Sequence, residues 1–231
     1  MATPTVLDRE VYTEAEAARL LRVAPSTLHY WLEGEGGRGD KHPPIIRATP
    51  SGRGAAVTWA EFIEAGLLRE YRAKNVQMST LRTFIGKLRE QTGAPYPLAN
   101  HRPWIDKGKG RGLLYDLQIK AGLAPEYALV ALVNDQFVLT PASQSFLDRV
   151  EWDDEDNPTA YRPHDDPQSP VRCFPTIRFG RPSVHGISTE ALWEQFNAGL
   201  DFDEIAETYE IPESEAFSAV AYERSVRQEA A

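Results

Sequence analysis

The stretch RVAPSTLHYWL, residues 22–32, decides how this chain is read. Pro25 suits the first turn of a helix, where a missing N–H leaves nothing unpaired. Leu28, Trp31 and Leu32 fall on one side of that helix, and Ser26, His29, Tyr30 and Glu33 on the other. Spacings of three, four and seven are the period of a helical face. The inner face is anchored by large apolar groups. The outer face shows a hydroxyl, an imidazole, a phenol and a carboxylate. A surface that only confers solubility carries lysine and glutamate; this one mixes hydrogen-bonding groups of several kinds.

Upstream, Thr13 and Glu16 of TEAE form a capping box, with Tyr12 and Ala17 placed as a hydrophobic staple. The spacing predicts a first helix buried through Ala17, Leu20 and Leu21, then a turn with Val23 between the two helices. Downstream, EGEGGRGDKHPP is loop by composition. IIRA (45–48) and AAV (55–57) are expected strands flanking the turn TPSGRG. Thr58 and Glu61 form a second capping box, which opens a helix to about residue 74 with Trp59, Phe62, Ile63 and Leu67 inward. A further helix over 79–92 stops at Gly93. Its apolar positions Met78, Leu81, Ile85 and Leu88 make a heptad-like seam.

The rest divides by composition. In 94–150, GLLYDL, ALVALV and FVL read as strands and 141–150 as a helix, a small mixed unit. Five prolines and the run EWDDED make 151–175 a proline-rich acidic linker. In 176–231, TIRFGRPSV reads as two strands turning at Gly180. Three helices follow: one starts at Ser188 or Thr189, one is capped by Asp201, and one has Pro212 at its first position. The expected class is mainly α with small β elements: a winged helix-turn-helix over 1–93, then a C-terminal strand-turn and three-helix domain.

The net charge of −9 is unevenly spread over the 231 residues: +2 over 1–90, +1 over 91–150 and −12 over 151–231. Two surfaces with different partners are the expectation. No run of eighteen apolar residues is present, so no membrane partner is expected. The start lacks the basic and apolar regions of a signal peptide. One cysteine, Cys173, forms no internal disulfide, and a reducing cytoplasmic location fits.

Catalytic motifs are lacking. KGKGRG (107–112) lacks the ending of a phosphate-binding loop. PHDD (163–166) has metal-capable groups but no second ligand pair. The five histidines are scattered. The expectation is therefore no enzyme, no cofactor and no metal.

Helix, turn, helix, β-wing, helix is a plan in which the second helix enters the DNA major groove. Ser26 and Thr27 then donate to phosphates, and His29 and Tyr30 reach bases or backbone. Arg47 and Arg53 extend the contact from the wing, and Arg22 adds charge nearby. YTEAEAARLLRVAPSTLHYWL followed by AVTWAEFIEAGLLREYR resembles the MerR family of winged-helix DNA-binding domains, over about a third of the chain. Thr27, Leu28 and Tyr30 match that family's recognition helix; His29 stands where arginine is usual, and Leu32 where an acid is. The resemblance implies DNA binding as a homodimer, with the 79–92 helix as a dimerisation element.

The C-terminal segment has a second pattern: Gly180, Pro182, Gly186, Gly199, Glu204, Ile205, Ala206 and Tyr209. It resembles a small uncharacterised domain of toxin–antitoxin operons. Together the two pieces resemble a VapB-type antitoxin. That resemblance implies a VapC-type PIN-domain ribonuclease as partner, inhibited by a basic or bulky segment, for which Arg172, Arg178, Arg181, Arg224 and Arg227 are candidates. From the residues themselves, Glu213, Ser214 and Glu215 at the start of the last helix repel phosphate. Trp193, Phe196, Phe202, Phe217 and Val220 suit protein contact better. The alternative is a stand-alone regulator whose C-terminal half senses a ligand or another partner.

Overall fold

The computed structural model describes residues 5–35, 42–48, 50–52, 54–73, 75–99, 118–122, 130–133, 136–139, 146, 148–155, 157–164 and 166–229. The chain divides into two compact units. One takes in 1–148 and 152–158, the other 149–151 and 159–231. The fold is α+β, mainly helical, with small two-stranded pairings.

The first unit opens with β1 (Glu10–Tyr12) and α1 (Glu14–Leu20). Thr13 accepts from the Glu16 N–H, and the Glu16 carboxylate accepts from the Thr13 N–H, so two orphan donors are satisfied. α1 ends on Arg22 in the left-handed region, φ 52°. The Val23 N–H reaches back to the Ala18 carbonyl at 3.0 Å and the Arg22 N–H to that of Arg19 at 3.1 Å. That is the Schellman closure, built here on an arginine rather than a glycine. α2 (Pro25–Glu33) starts three residues later and buries Leu28, Trp31 and Leu32.

The expected wing differs. Residues 45–48 form no strand; β2 (Val57–Thr58) pairs with β1 instead. The Ile45 and Ile46 N–H groups donate to the Trp31 carbonyl, so the loop satisfies the end of α2 rather than a strand ladder. α3 (Trp59–Ala73) opens on the Thr58–Glu61 box, and α4 (Met78–Thr92) stops at Gly93 with φ 68°. The α4 seam, expected to face a second copy, is spent within this unit: Leu81, Ile85 and Leu88 are buried, and neighbouring Phe84 meets Tyr71 edge-on at 6.3 Å.

β3 (Val130–Val133) and β4 (Gln136–Leu139) form the hairpin that ALVALV and FVL predict. GLLYDL lies outside the described residues, as do most of 141–149; Val150 opens β5 (Val150–Trp152) rather than ending a helix. β5 pairs with β6 (Pro158–Tyr161), where proline takes the first strand position it tolerates. The segment read as a linker is in large part folded. Tyr161 bridges Cys173, Arg172 bridges Ser183, and Ala160, Tyr161, Val171 and Cys173 are buried. Proline content hid an apolar alternation that fills a core.

β7 (Ser183–Val184) and β8 (Ile187–Ser188) form a hairpin whose turn residues, His185 and Gly186, both have positive φ, as a two-residue hairpin turn requires. It turns at 185–186, not at Gly180; residues 178–180 form a short 3-10 turn. α5 (Thr189–Asn197), α6 (Phe202–Tyr209) and α7 (Glu213–Glu229) follow, around Val184, Leu192, Ile205, Ile211, Ala216 and Ala219. Pro212 precedes α7 and accepts its first helical bond from the Ala216 N–H.

The α1–α2 geometry recurs at α6–α7, 188 positions on. Asp201 and Glu204 repeat the box of Thr13 and Glu16. Glu210 (φ 54°) repeats Arg22, and the Ile211 N–H bonds Ala206 as Val23 bonds Ala18. Ala216 bonds Pro212 as Leu28 bonds Ala24. Asp201→Ala is expected to lower stability by about 1 kcal/mol. Glu210→Gly is expected to raise it by about 0.5–1 kcal/mol, because glycine accepts a left-handed φ without steric penalty. Thermal unfolding checks both signs.

Candidate functional site

The outer face of α2 is held in place by a buried ionic cluster. Arg47 is 3% exposed. Its Nε donates to Glu61 Oε1 at 2.8 Å, Nη2 to Glu61 Oε2 at 3.1 Å and to the Ala56 carbonyl at 2.9 Å, and Nη1 to Glu33. Burial lowers the affinity of the guanidinium for its proton, but the two carboxylates outweigh it and the pKa is raised. Arg47 was expected to meet DNA from the wing. Every donor described is turned inward, so it is a structural pin. Glu33 was expected on the outer face; its carboxylate instead accepts the Ser51 and Gly52 N–H groups at 3.3 and 3.0 Å. Glu61 also accepts the Tyr96 hydroxyl at 3.1 Å. Loss of the guanidinium leaves two buried carboxylates unpaired. Arg47→Ala is expected to destabilise the first unit by about 3–5 kcal/mol, measured by chemical unfolding.

The remaining predicted DNA-contact residues stand on or beside α2. Arg22 and Ser26 are exposed, and Thr27, His29 and Tyr30 half-buried. His29 Nδ1 lies 2.9 Å from Glu14 Oε2 on α1, which fixes the ring's direction. Arg53 lies outside the described residues. Two arginines that the sequence reading missed frame the same face. The Arg82 guanidinium of α4 sits 5.3 Å from the Tyr30 ring centroid, with its terminal nitrogens buried and without a hydrogen-bond partner among the described residues. Arg72 lines a depression of about 280 Å³ with Ser26, Thr27, Tyr30, Trp31 and Met78. The one available signal was that Arg82 lies off the apolar seam of its helix.

In the second unit the five candidate arginines separate. Arg172 donates to Glu151 and to the Ser169 and Val171 carbonyls and braces the bridge to Ser183. Arg227 stacks 3.8 Å over the Trp193 ring, with Glu190 and Glu223 near its nitrogens. Arg224 lines a depression with Phe202 and Phe217. Arg178 and Arg181 are exposed on the turn before β7. Of the predicted contact aromatics, Phe217 is 57% exposed and the others are partly buried. His164 and Asp166 of PHDD hydrogen-bond each other within the backbone turn, Asp166 N–H to His164 Nδ1 at 3.1 Å.

Glu64 is fully buried on α3. It accepts the Leu98 N–H at 2.9 Å, with Arg89 Nη2 at 3.6 Å. Desolvation pushes its pKa from 4.5 up to about 8 against the pull of Arg89 and Leu98. The folded state therefore keeps a proton that the unfolded state releases. This contribution to stability is complete below about pH 4.5 and is lost as the pH rises to about 8. Glu64→Gln is expected to flatten the fall in Tm between pH 5 and pH 8. Parallel Tm profiles for the variant and the parent protein would exclude it.

No family model matches the chain. Across 87% of its length it is 25% identical to "Putative antitoxin VapB45" of Mycobacterium tuberculosis, covering 89% of that protein. It is 41% identical over 106 residues to the uncharacterised protein Rv2308 of the same organism, and the match spans 44% of that protein's length. The crystal structure of Rv2018 from M. tuberculosis shares the fold, with a TM-score of 0.69 at 23% identity over 93% of this chain and 99% of that one. Among the described residues no helix is long and apolar enough to cross a membrane.

Proposed function

We propose that the chain is the antitoxin of a toxin–antitoxin pair, binding promoter DNA through α2 and a protein toxin through its second unit. The observation that carries the reading is the near full-length likeness to an antitoxin-named protein. The chemistry of the two helix-turn-helix scaffolds supports the division of labour. At matching positions the first presents Ser26, Thr27, His29 and Tyr30, and the second Ser214, Glu215, Phe217 and Ser218. Donors suit phosphate and base edges; a carboxylate and an exposed phenyl ring suit protein. The toxin is taken as a VapC-like PIN-domain ribonuclease, in which clustered carboxylates hold a metal ion. On this reading Arg22, Ser26, Thr27, His29 and Tyr30 meet DNA, joined by the exposed Arg72, while the buried Arg82 guanidinium backs the Tyr30 ring. DNA binding as a homodimer places half-sites about 10 base pairs apart.

Two assays test it: anisotropy titration of a promoter fragment at several salt concentrations, and co-expression with the neighbouring reading frame followed by a nuclease assay. Affinity is expected to fall with salt in proportion to the phosphates engaged. Tyr30→Ala is expected to weaken promoter binding about tenfold, a loss of one good contact, while leaving the protein complex intact. A chain that binds neither the promoter nor the neighbouring product overturns the proposal.

A further inference from the structure

The turn Ile177–Arg181 holds two consecutive non-glycine residues at positive φ, the one such pair among the described residues. Arg178, Phe179 and Gly180 have successive φ values of 49°, 53° and 75°. Glycine accepts that region; the arginine and the phenylalanine do so against steric resistance. The turn is nevertheless held. The Gly180 N–H donates to the Ile177 carbonyl at 3.0 Å and the Arg181 N–H to that of Arg178 at 3.2 Å. Arg178 Nε donates to the Gly186 carbonyl at 2.5 Å, in the hairpin turn of β7 and β8. That turn is tied in turn to α7 by His185 Nε2 and Glu215 Oε2 at 2.8 Å. Gly180 and Pro182 are buried, so the base is fixed.

The product of this construction is a phenyl ring facing water. Phe179 is 74% exposed and neighbouring Ile177 37%. Burial does not explain the strain, because the ring is not in the core. Strain of this kind is kept where it positions a group for use. An aromatic ring on a fixed turn loses little freedom when it is bound, and phenylalanine and arginine are both enriched in protein interfaces.

We propose that this turn anchors the protein partner, with Phe179 entering an apolar pocket bordered by carboxylates. Charge selects that occupant. Residues 176–231 carry eleven acidic side chains and four basic ones, and two of the four, Arg178 and Arg181, flank Phe179. A small acidic rim meets that pair locally, whereas an extended polyanion such as nucleic acid also meets the eleven carboxylates of the same segment and is repelled. The inference rests on the antitoxin reading in one respect: that a protein partner exists.

The test uses the full chain and the product of the neighbouring reading frame, with Kd measured by calorimetry. Phe179→Ala and Phe179→Gly are each expected to weaken the complex about thirtyfold or more, the scale of an interface anchor. Phe179→Gly is also expected to hold or raise the Tm, because it relieves the left-handed residue; promoter affinity is unchanged in both variants. Unaltered partner affinity in both variants overturns the assignment while leaving the antitoxin reading standing. A marked fall in Tm for Phe179→Gly makes the ring structural, and a loss of promoter binding makes the turn a nucleic-acid surface; either overturns it. If the parent chain forms no complex, the antitoxin reading falls and the anchor with it.

Discussion

The first unit depends on one buried guanidinium. Arg47 joins the end of α2 through Glu33, the start of α3 through Glu61 and the approach to β2 through the Ala56 carbonyl. Each carboxylate then performs a second task. Glu33 holds the loop at Ser51 and Gly52, and Glu61 closes the helix cap and takes the Tyr96 hydroxyl. A buried charge is tolerated only when its partners satisfy it fully, and this network is nearly closed. Its geometric consequence is that α2 and the following loop share one fixed support. Whatever the outer face of α2 touches, its orientation is set by a side chain that touches none of it.

The repeated helix-turn-helix separates scaffold from surface. In both copies a side-chain cap starts the first helix and a left-handed residue ends it. The next helix then begins on a carbonyl that accepts from the N–H groups three and four residues on. Both copies bury equivalent positions: Ala17 and Ile205, Leu28 and Ala216, Leu32 and Val220. The backbone therefore carries no information about the partner, and side-chain chemistry on the outward positions decides it. Histidine at 29 and phenylalanine at 217 occupy the same place on the same frame.

The helices were legible because their signals are local. Capping boxes at Thr13, Thr58 and Asp201 and a glycine stop at Gly93 each act within four residues. The conformation of residues 45–48 is not legible in the sequence because their partners are distant: the Trp31 carbonyl accepts two of the N–H groups, and two carboxylates capture Arg47. Short apolar runs do not reveal such partners. The fold of residues 157–175 is hidden for the opposite reason. Proline density is a local signal, and it outweighed Tyr161, Val171 and Cys173, whose burial depends on pairing across a dozen residues and on packing. Of the candidate site, periodicity places Ser26, His29 and Tyr30 on the outer side of α2 but not Glu33, which Arg47 draws inward. Arg72 and Arg82 were not readable, because only the tertiary fold brings α3 and α4 beside Tyr30.

Charge totals and charge placement say different things about this chain. A net +2 over residues 1–90 is a weak field for drawing in a polyanion, and Arg47, among the cations counted, is withdrawn into the core. Long-range steering therefore contributes little. The outer face of α2 instead presents short-range groups on a rigid support: Ser26 and Thr27 near the helix start, His29 oriented by Glu14, and Tyr30 beside an arginine. In the second unit, Arg172 and Arg227 are held by carboxylates and a ring, while the Arg178 and Arg181 side chains are exposed, Arg178 with its Nε on the Gly186 carbonyl. In each unit the fold removes some charges from play and fixes others, so surface chemistry follows from which carboxylates lie within reach of which arginines rather than from composition.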